Sequence, residues 1–364
     1  LCRFGGSGSQ TQMVVEKFET ITFSEDIKEE IRRIFAKKEI DFQQLCLLNP
    51  WIGQLHGKLV LQCLEKWGIH PDEVDIVASH GQTVFHAPKI LHKLSKFPNA
   101  TLQIGDGDHI AVTTGIITLS DFRQKHCAAG GEGAPLAVYG DYFIFSKQGE
   151  NRLMLNMGGI ANFTYLPGNL NSHEVFVTDT GPGNTLIDAF ARKFFNLPYD
   201  EGGKIAASGK VHEELLRCLK KDPFFTAPFP KTTGPELFSL EYVRLAQQRS
   251  GTTSLSPEDL MATLTRFSAE TIAEAILKVC KKEESYHLYL SGGGMHNPVL
   301  VNALRQLMPE FPMTGTESLG VSGDAKEAAL FAILANETLC GGLTDFGSRE
   351  GVPSVSMGKI SFPT

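Results

Sequence analysis

Asp179 is the side chain whose type and setting best suit it to chemistry. It stands in the run Thr178-Asp179-Thr180-Gly181-Pro182-Gly183-Asn184, just past an apolar stretch and before a glycine turn. A carboxylate there can take a proton from water, while the N–H groups of the turn attract an anion. Two further glycine turns follow apolar runs, Asn156-Met157-Gly158-Gly159-Ile160-Ala161-Asn162 and Ser291-Gly292-Gly293-Gly294-Met295-His296-Asn297. Glycine lets backbone approach a ligand closely. One such turn says little. Three, with an acid in the middle one, point to a nucleotide cleft with a built-in base.

Each turn also has a plainer reading. An Asp before a helix is often only a cap, but Asn184 and Thr185 are better placed to cap here, which leaves Asp179 for the cleft. Gly158-Gly159 is a common hairpin dipeptide; the flanking Asn156 and Asn162 can reach phosphate oxygens from either side. Gly181 and Gly183 shape the acid's own turn. Gly292, Gly293 and Gly294 either form a flexible connection or let a flat base or ribose lie on the backbone. The run lacks the Gly-Lys-Ser/Thr of a Walker loop and the spacing of GxGxxG. Asn297, at the start of the next helix, completes the nucleotide-binding candidates.

A second polar group comprises His80, Gln82, Thr83, Asp121 and Arg123. The planar fork of arginine suits a carboxylate or phosphate. A lone histidine is more often structural, yet Ser79-His80-Gly81-Gln82-Thr83 is hard to explain as packing. No His/Cys spacing suits a metal.

The elements that must position these residues alternate between helix and strand. Leu1 to Phe4 reads as the end of a strand, followed by a turn at Gly5 to Ser9. Ser24 to Ala36 has helical spacing at Ile27, Ile31 and Phe35, with Ser24 as cap. A second helix is expected over Leu47 to Trp67. Strands Val74–Ala78, Thr101–Ile104 and Ile116–Leu119 each stop at polar residues, and ligands of open α/β sheets sit at such ends. Arg152–Asn156 and Ile160–Leu166 form a hairpin. Glu174–Thr178 is a strand ending before Asp179, and a helix starts at Thr185 with Leu186, Phe190 and Phe194 on one face. Residues 219–240 read as irregular. Ser256-Pro257 starts a helix, Tyr286–Leu290 is a strand, Asn297-Pro298 opens a helix to Leu307, and a last helix covers Ala325–Leu339. The tail from Val352 to Pro363 is expected to cross back to the first domain.

The 364 residues, 42% hydrophobic, suffice for two cores. A net charge of −7 gives no electrostatic footprint for nucleic acid. The seven cysteines form no CxxC pair, which fits a reducing compartment. No apolar run is long enough for a membrane span, and no signal peptide stands before the first strand. These features imply a cytoplasmic protein with no membrane or nucleic-acid partner.

Taken together, the motifs resemble those of the anhydro-N-acetylmuramic acid kinase family. They are Ser79-His80-Gly81-Gln82-Thr83, Gln103-Ile104-Gly105-Asp106-Gly107, Asp121-Phe122-Arg123, Ala128 to Pro135, Asn156 to Asn162, Asp179 to Asn184 and Asp324-Ala325-Lys326-Glu327-Ala328. The resemblance runs from about residue 13 to the end. It implies an α/β, two-domain, actin-like ATPase (ribonuclease H-like) fold with a central cleft. The first domain, 1–132 plus 345–364, would take the sugar and the second, 133–344, the nucleotide. It implies ATP and Mg2+, and ATP-dependent opening of 1,6-anhydro-N-acetylmuramic acid to N-acetylmuramic acid 6-phosphate and ADP in peptidoglycan recycling. Asp179 is similar to the family's general base. His80, Gln82, Thr83, Arg123 and Glu327 become the sugar-binding candidates, Arg123 facing the substrate's negative charge. The metal ligands stay open. A homodimer is possible. The family's first phosphate hairpin, Gly-Thr-Ser-x-Asp-Gly, is expected upstream of Leu1, and His126 stands where the family more usually carries Asp. The competing readings are another small-molecule kinase of the same superfamily and a non-catalytic sugar sensor.

Overall fold

A computed structural model describes residues 1–348 and 351–364. They divide into two units, Leu1–Ile144 with Asp324–Thr364, and Phe145–Gly323.

Unit 1 begins with an antiparallel hairpin of β1 (Cys2–Gly5) and β2 (Gln12–Val15). Ser24 precedes α1 (Glu25–Ile34), but its side chain makes no capping bond. The next helix, α2 (Phe42–Trp67), starts five residues before the expected Leu47 and carries Pro50 inside it. Asp41 is the reason: its carboxylate accepts from the N–H groups of Gln43 and Gln44, satisfying donors that the first turn leaves orphaned. Then come β3 (Val77–Ser79), β4 (Gln82–Ala87), the single-turn α3 (Lys89–His92) and β5 (Ala100–Ile104). Strand β4 pairs antiparallel with β5, so Gln82 and Thr83 lie within a strand rather than past the end of one. Asp106 caps α4 (Gly107–Thr114), which packs on α2. After β6 (Thr118–Ser120), parallel to β3, come α5 (Phe122–Ala128) and α6 (Ala137–Phe145). Ile34, Leu48, Ile52, Val84 and Ile104 are buried together in one core of this unit.

Unit 2 is built on one mixed sheet. Strands β7 (Asn151–Met157), β8 (Ile160–Leu166) and β9 (Phe176–Pro182) form an antiparallel meander. The helices α7 (Thr185–Phe195), α8 (Lys204–Ser208), α9 (Glu213–Leu219), α10 (Leu240–Ser250) and α11 (Pro257–Val279) follow. Then β10 (Tyr286–Ser291) adds parallel to β7, α12 (Pro298–Leu307) crosses over, and β11 (Met313–Gly315) adds parallel to β10. The spatial order is β11-β10-β7-β8-β9, the ribonuclease H-like arrangement of three antiparallel strands extended by two parallel ones. Leu153, Leu155, Leu288 and Leu290 pack with Ala269, Ile272 and Ile276 of α11 and with Leu300 and Leu304 of α12. Ser256 caps α11 through its hydroxyl, and Pro257 occupies the first helical position, as expected.

The chain returns to unit 1 through α13 (Lys326–Cys340) and β12 (Lys359–Ser361), which pairs antiparallel with β6. Residues 133–144 and 324–344, expected in the second domain, lie in unit 1. Specific contacts hold them there. Gly8 N–H and the Thr11 hydroxyl donate to Glu337 of α13 at 2.7 and 2.6 Å, Phe331 of α13 packs on Phe122 of α5 with ring centroids 5.3 Å apart, and Lys326 Nζ meets buried Asp141 at 2.8 Å, joining the two segments to each other. All the cysteines are free thiols. Among the described residues, no helix is long and apolar enough to cross a membrane.

Candidate active site

The glycine turns of unit 2 come together. The N–H groups of Gly183 and Thr185 donate to the Gly159 carbonyl at 2.8 and 3.1 Å, and Asn184 N–H donates to the Gly158 carbonyl at 2.8 Å. These amides, expected to face a phosphate, instead bind the middle turn to the hairpin turn. The side chain of Asn184 donates to the Met157 carbonyl at 3.0 Å. Neither Asn184 nor Thr185 caps α7 through its side chain, contrary to expectation.

The third turn meets the first. Gly292 has φ +79°, and a Cβ there would lie 2.6 Å from Asn156 Oδ1 and 2.8 Å from the Met157 carbonyl carbon. A Cβ on Gly294 would lie 2.7 Å from Met157 Cβ. These two glycines are required by close packing. Gly293 differs, because its Cβ would meet only Asn184 Nδ2, at 3.7 Å. Asn297 caps α12, its Oδ1 accepting from Val299 and Leu300 N–H at 3.0 and 3.2 Å. Its acceptor is therefore committed to the helix rather than to a ligand.

A polar row crosses the same sheet. Ser291 on β10 pairs with Asn156 on β7, Asn156 with Asn162 on β8, and Asn162 with Asp179 on β9. Paired residues share a face. The strand expected to end at Thr178 continues to Pro182, so Asp179 lies inside β9. Gly181, at φ +138°, passes close to Phe225 and Thr271.

Asp179 is braced from residues 219–240, a segment without sequence periodicity. Its N–H donates to the Lys231 carbonyl at 2.9 Å. Thr233 N–H donates to its Oδ2 at 2.8 Å. Among the described residues nothing donates to Oδ1, which stays available to a water. Burial pushes the carboxyl pKa up, and the Thr233 bond opposes that push. Lys231 is itself fixed, its N–H donating to Thr178 Oγ1 at 3.0 Å and its ammonium to the Phe224 carbonyl at 2.7 Å.

In unit 1, Arg123 and His80 of the second polar group meet, whereas Asp121 pairs with Lys359 Nζ. Arg123, in the first turn of α5, donates from Nε to His80 Nε2 at 2.8 Å and from Nη1 to the Gly133 carbonyl at 2.7 Å. Burial lowers its pKa, while the charge of Glu327 raises it. Glu327 is exposed on the first turn of α13. Gln82 donates to the Thr83 carbonyl at 2.9 Å, and Thr83 Oγ1 accepts from Gln103 Nε2 at 3.3 Å. Gln103 Oε1 is buried with no donor among the described residues. The motif containing Gln103 was visible in the sequence, but its buried acceptor was not.

His126 is wholly buried and takes Gly133 N–H on Nδ1 at 2.9 Å. It therefore anchors the loop whose carbonyl holds Arg123. Burial, assisted by the Arg123 charge, lowers its pKa to about 4. Asp106 and Gly107 turn out to be structural: the acid caps α4, and Gly107 approaches Ser120 and Ser361 too closely for a side chain. Among the described residues no three His, Cys, Asp or Glu side chains group as metal ligands. Magnesium bound to nucleotide phosphates needs only one or two protein carboxylates, so a metal arriving on the nucleotide needs no such group.

Comparison with known proteins bears on this site. A family model described as anhydro-N-acetylmuramic acid kinase matches residues 7–355. A relative of that description from Pseudoalteromonas atlantica is 53% identical over 366 residues, covering 100% of this chain and 91% of the relative. Another from Caldanaerobacter subterraneus is 34% identical, covering 99% and 92%. Among solved structures, an activator of a 2-hydroxyisocaproyl-CoA dehydratase from Clostridium difficile matches at 15% identity and TM-score 0.33, over 58% of this chain and 68% of that one. That last likeness is too slight to bear on function.

Proposed function

The chain belongs to the anhydro-N-acetylmuramic acid kinase family, and from that membership and the site above we propose how this ATP-dependent sugar kinase works. It opens 1,6-anhydro-N-acetylmuramic acid with water and phosphorylates O6 from MgATP. The products are N-acetylmuramic acid 6-phosphate and ADP, formed in the cytoplasm, where ATP is available for peptidoglycan recycling.

Asp179 is the general base. Its Oδ1 takes a proton from a water whose oxygen bonds to the anomeric carbon. The C1–O6 bond breaks, O6 attacks the γ-phosphorus, and the bond from that phosphorus to the β-bridging oxygen breaks. The proton then passes from Asp179 to solvent. Thr233 N–H holds Oδ2 and so aims the other oxygen. Burial raises the carboxyl pKa, which makes the ionised form a stronger base. Gly158, Gly159, Gly181, Gly183, Asn184, Gly292, Gly293 and Gly294 shape the nucleotide side, with Asn156 and Asn162 beside them. Phosphoryl transfer depends mainly on positioning and electrostatics, and magnesium on the nucleotide supplies charge neutralisation.

Unit 1 supplies the sugar side. Arg123 binds the lactyl carboxylate through its uncommitted donors. Glu327, Gln82 and Thr83 offer hydrogen-bonding groups for hydroxyl and acetamido positions.

The observation that carries this reading is the asymmetry of Asp179, with one carboxylate oxygen fixed by Thr233 and the other without a donor among the described residues. The test is turnover in 18O-water. The label is expected at the anomeric hydroxyl of the 6-phosphosugar. Its absence there would refute hydrolytic opening.

A further inference from the structure

His80 was a sugar-binding candidate, but the structure commits both of its ring nitrogens. It occupies the two-residue connection between β3 and β4 with Gly81. Gly81 has φ +75°, and a Cβ there would lie 2.5 Å from the Ile104 carbonyl oxygen. The turn is tight, and it fixes where the histidine leaves the backbone. The ring rests on Phe331 of α13, with centroids 4.5 Å apart.

The tautomer follows from the partners. Nδ1 lies 3.0 Å from the Gly81 carbonyl oxygen. A carbonyl only accepts, so Nδ1 carries the hydrogen. Nε2 then presents a lone pair, and Arg123 Nε–H donates to it at 2.8 Å. The imidazole is neutral: burial, then the Arg123 charge, hold its pKa down at about 4. It therefore adds no positive charge to a guanidinium that is itself partly buried.

Arg123 has five N–H donors. One goes to His80 and one to the Gly133 carbonyl, whose residue is tied in turn to His126. Two anchors at different nitrogens fix the guanidinium plane. The three remaining donors, on Nη1 and Nη2, have no protein acceptor among the described residues. Donors fixed in advance bind an anion without the cost of ordering a long side chain.

We infer that His80 is a positioning residue that does not bind the sugar: it holds Arg123 by Nε so that the outer donors are set for the carboxylate of an anionic sugar. This rests on the sugar reading given above. It assigns to His80 the selectivity for the acid over a neutral sugar of the same ring.

The experiment compares 1,6-anhydro-N-acetylmuramic acid with 1,6-anhydro-N-acetylglucosamine, which lacks the lactyl carboxylate. Dissociation constants are measured by calorimetry for the wild type, His80→Ala and His80→Gln. His80→Ala is expected to weaken the acid roughly tenfold, the scale of one preorganised charge-assisted contact, with the constants for the neutral sugar and ATP within about twofold. His80→Gln offers an amide oxygen to Arg123 Nε–H and is expected to recover part of the loss. Equal weakening of both sugars, or of ATP, would assign His80 a merely structural role and overturn the proposal. So would a His80→Gln enzyme that discriminates as well as wild type while His80→Ala does too. A wild type indifferent to the carboxylate would overturn the sugar reading itself, and the proposal with it.

Discussion

Thr233 and Asp179 stand 54 residues apart in sequence, yet the backbone N–H of the first donates to the carboxylate of the second at 2.8 Å. A backbone donor survives side-chain substitution at position 233. It fixes the orientation of the carboxylate without adding a charge beside it.

Asp179→Asn tests the base. An amide can still accept from Thr233 N–H but takes no proton at neutral pH. The rate is expected to fall by roughly 10²–10⁴, with dissociation constants for sugar and ATP within a few-fold. Single-turnover kinetics and calorimetry separate the two effects. Substantial recovery at high magnesium would make Asp179 a metal-linked residue and end its assignment as base.

The same substitution makes a stability prediction of definite sign. The folded pKa of Asp179 is raised, so the folded state holds the proton more tightly than the unfolded chain. Ionised Asp179 thus disfavours folding above that pKa, and the penalty fades as pH falls through it. Asp179→Asn is expected to melt no lower than wild type at pH 7. A clear drop in melting temperature would mean that the ionised carboxylate stabilises the fold.

The three neighbouring glycines separate packing from ligand contact. Gly292→Ala and Gly294→Ala are expected to lower the melting temperature, since each Cβ would lie within 3 Å of atoms of Asn156 or Met157. Gly293→Val is expected to keep it, because only Asn184 Nδ2 lies near, at 3.7 Å. If Gly293 borders the nucleotide, the valine variant loses ATP binding while remaining folded. Normal ATP affinity in a calorimetric titration would make the third turn a connection only.

Arg123→Ala is expected to weaken sugar binding by about 1.5–3 kcal/mol, the range for a hydrogen bond to a charged group. ATP affinity should change far less. Equal losses for both ligands would contradict its placement on the sugar.

The two histidines around Arg123 predict an acid limb in stability. Both His80 and His126 have folded pKa values near 4, below the ordinary 6.5. Between those values the unfolded chain binds protons that the folded chain refuses, so stability falls as pH drops from about 6.5 to about 4. Urea midpoints across that window measure the slope, and His126→Gln should reduce it. An unchanged slope in His126→Gln would show that this ring is not held neutral.

Residue type and order made much of this legible. Glycine after an apolar run marked each turn, and Ser256-Pro257 marked the start of α11. What stayed hidden was non-local. Asn184 looked like a cap because sequence shows only the helix it precedes, whereas its side chain bonds the Met157 carbonyl on β7. His80 looked like a ligand because nothing local reveals that Arg123, 43 residues on, takes its Nε2. Residues 219–240 carry no periodicity, so the segment that braces Asp179 looked like an ordinary loop. The early start of α2 is by contrast a local signal, since Asp41 is a residue type that caps a helix.

The row Ser291, Asn156, Asn162, Asp179 acts as a ruler. Neighbouring strands lie about 4.8 Å apart, so three steps put Asp179 roughly 14 Å from the end of β10, where the triple-glycine turn begins. Backbone hydrogen bonds set that length, whichever side chains occupy the row. Substitutions along it can change the side-chain chemistry of the row while leaving unchanged the distance between Asp179 and the triple-glycine turn.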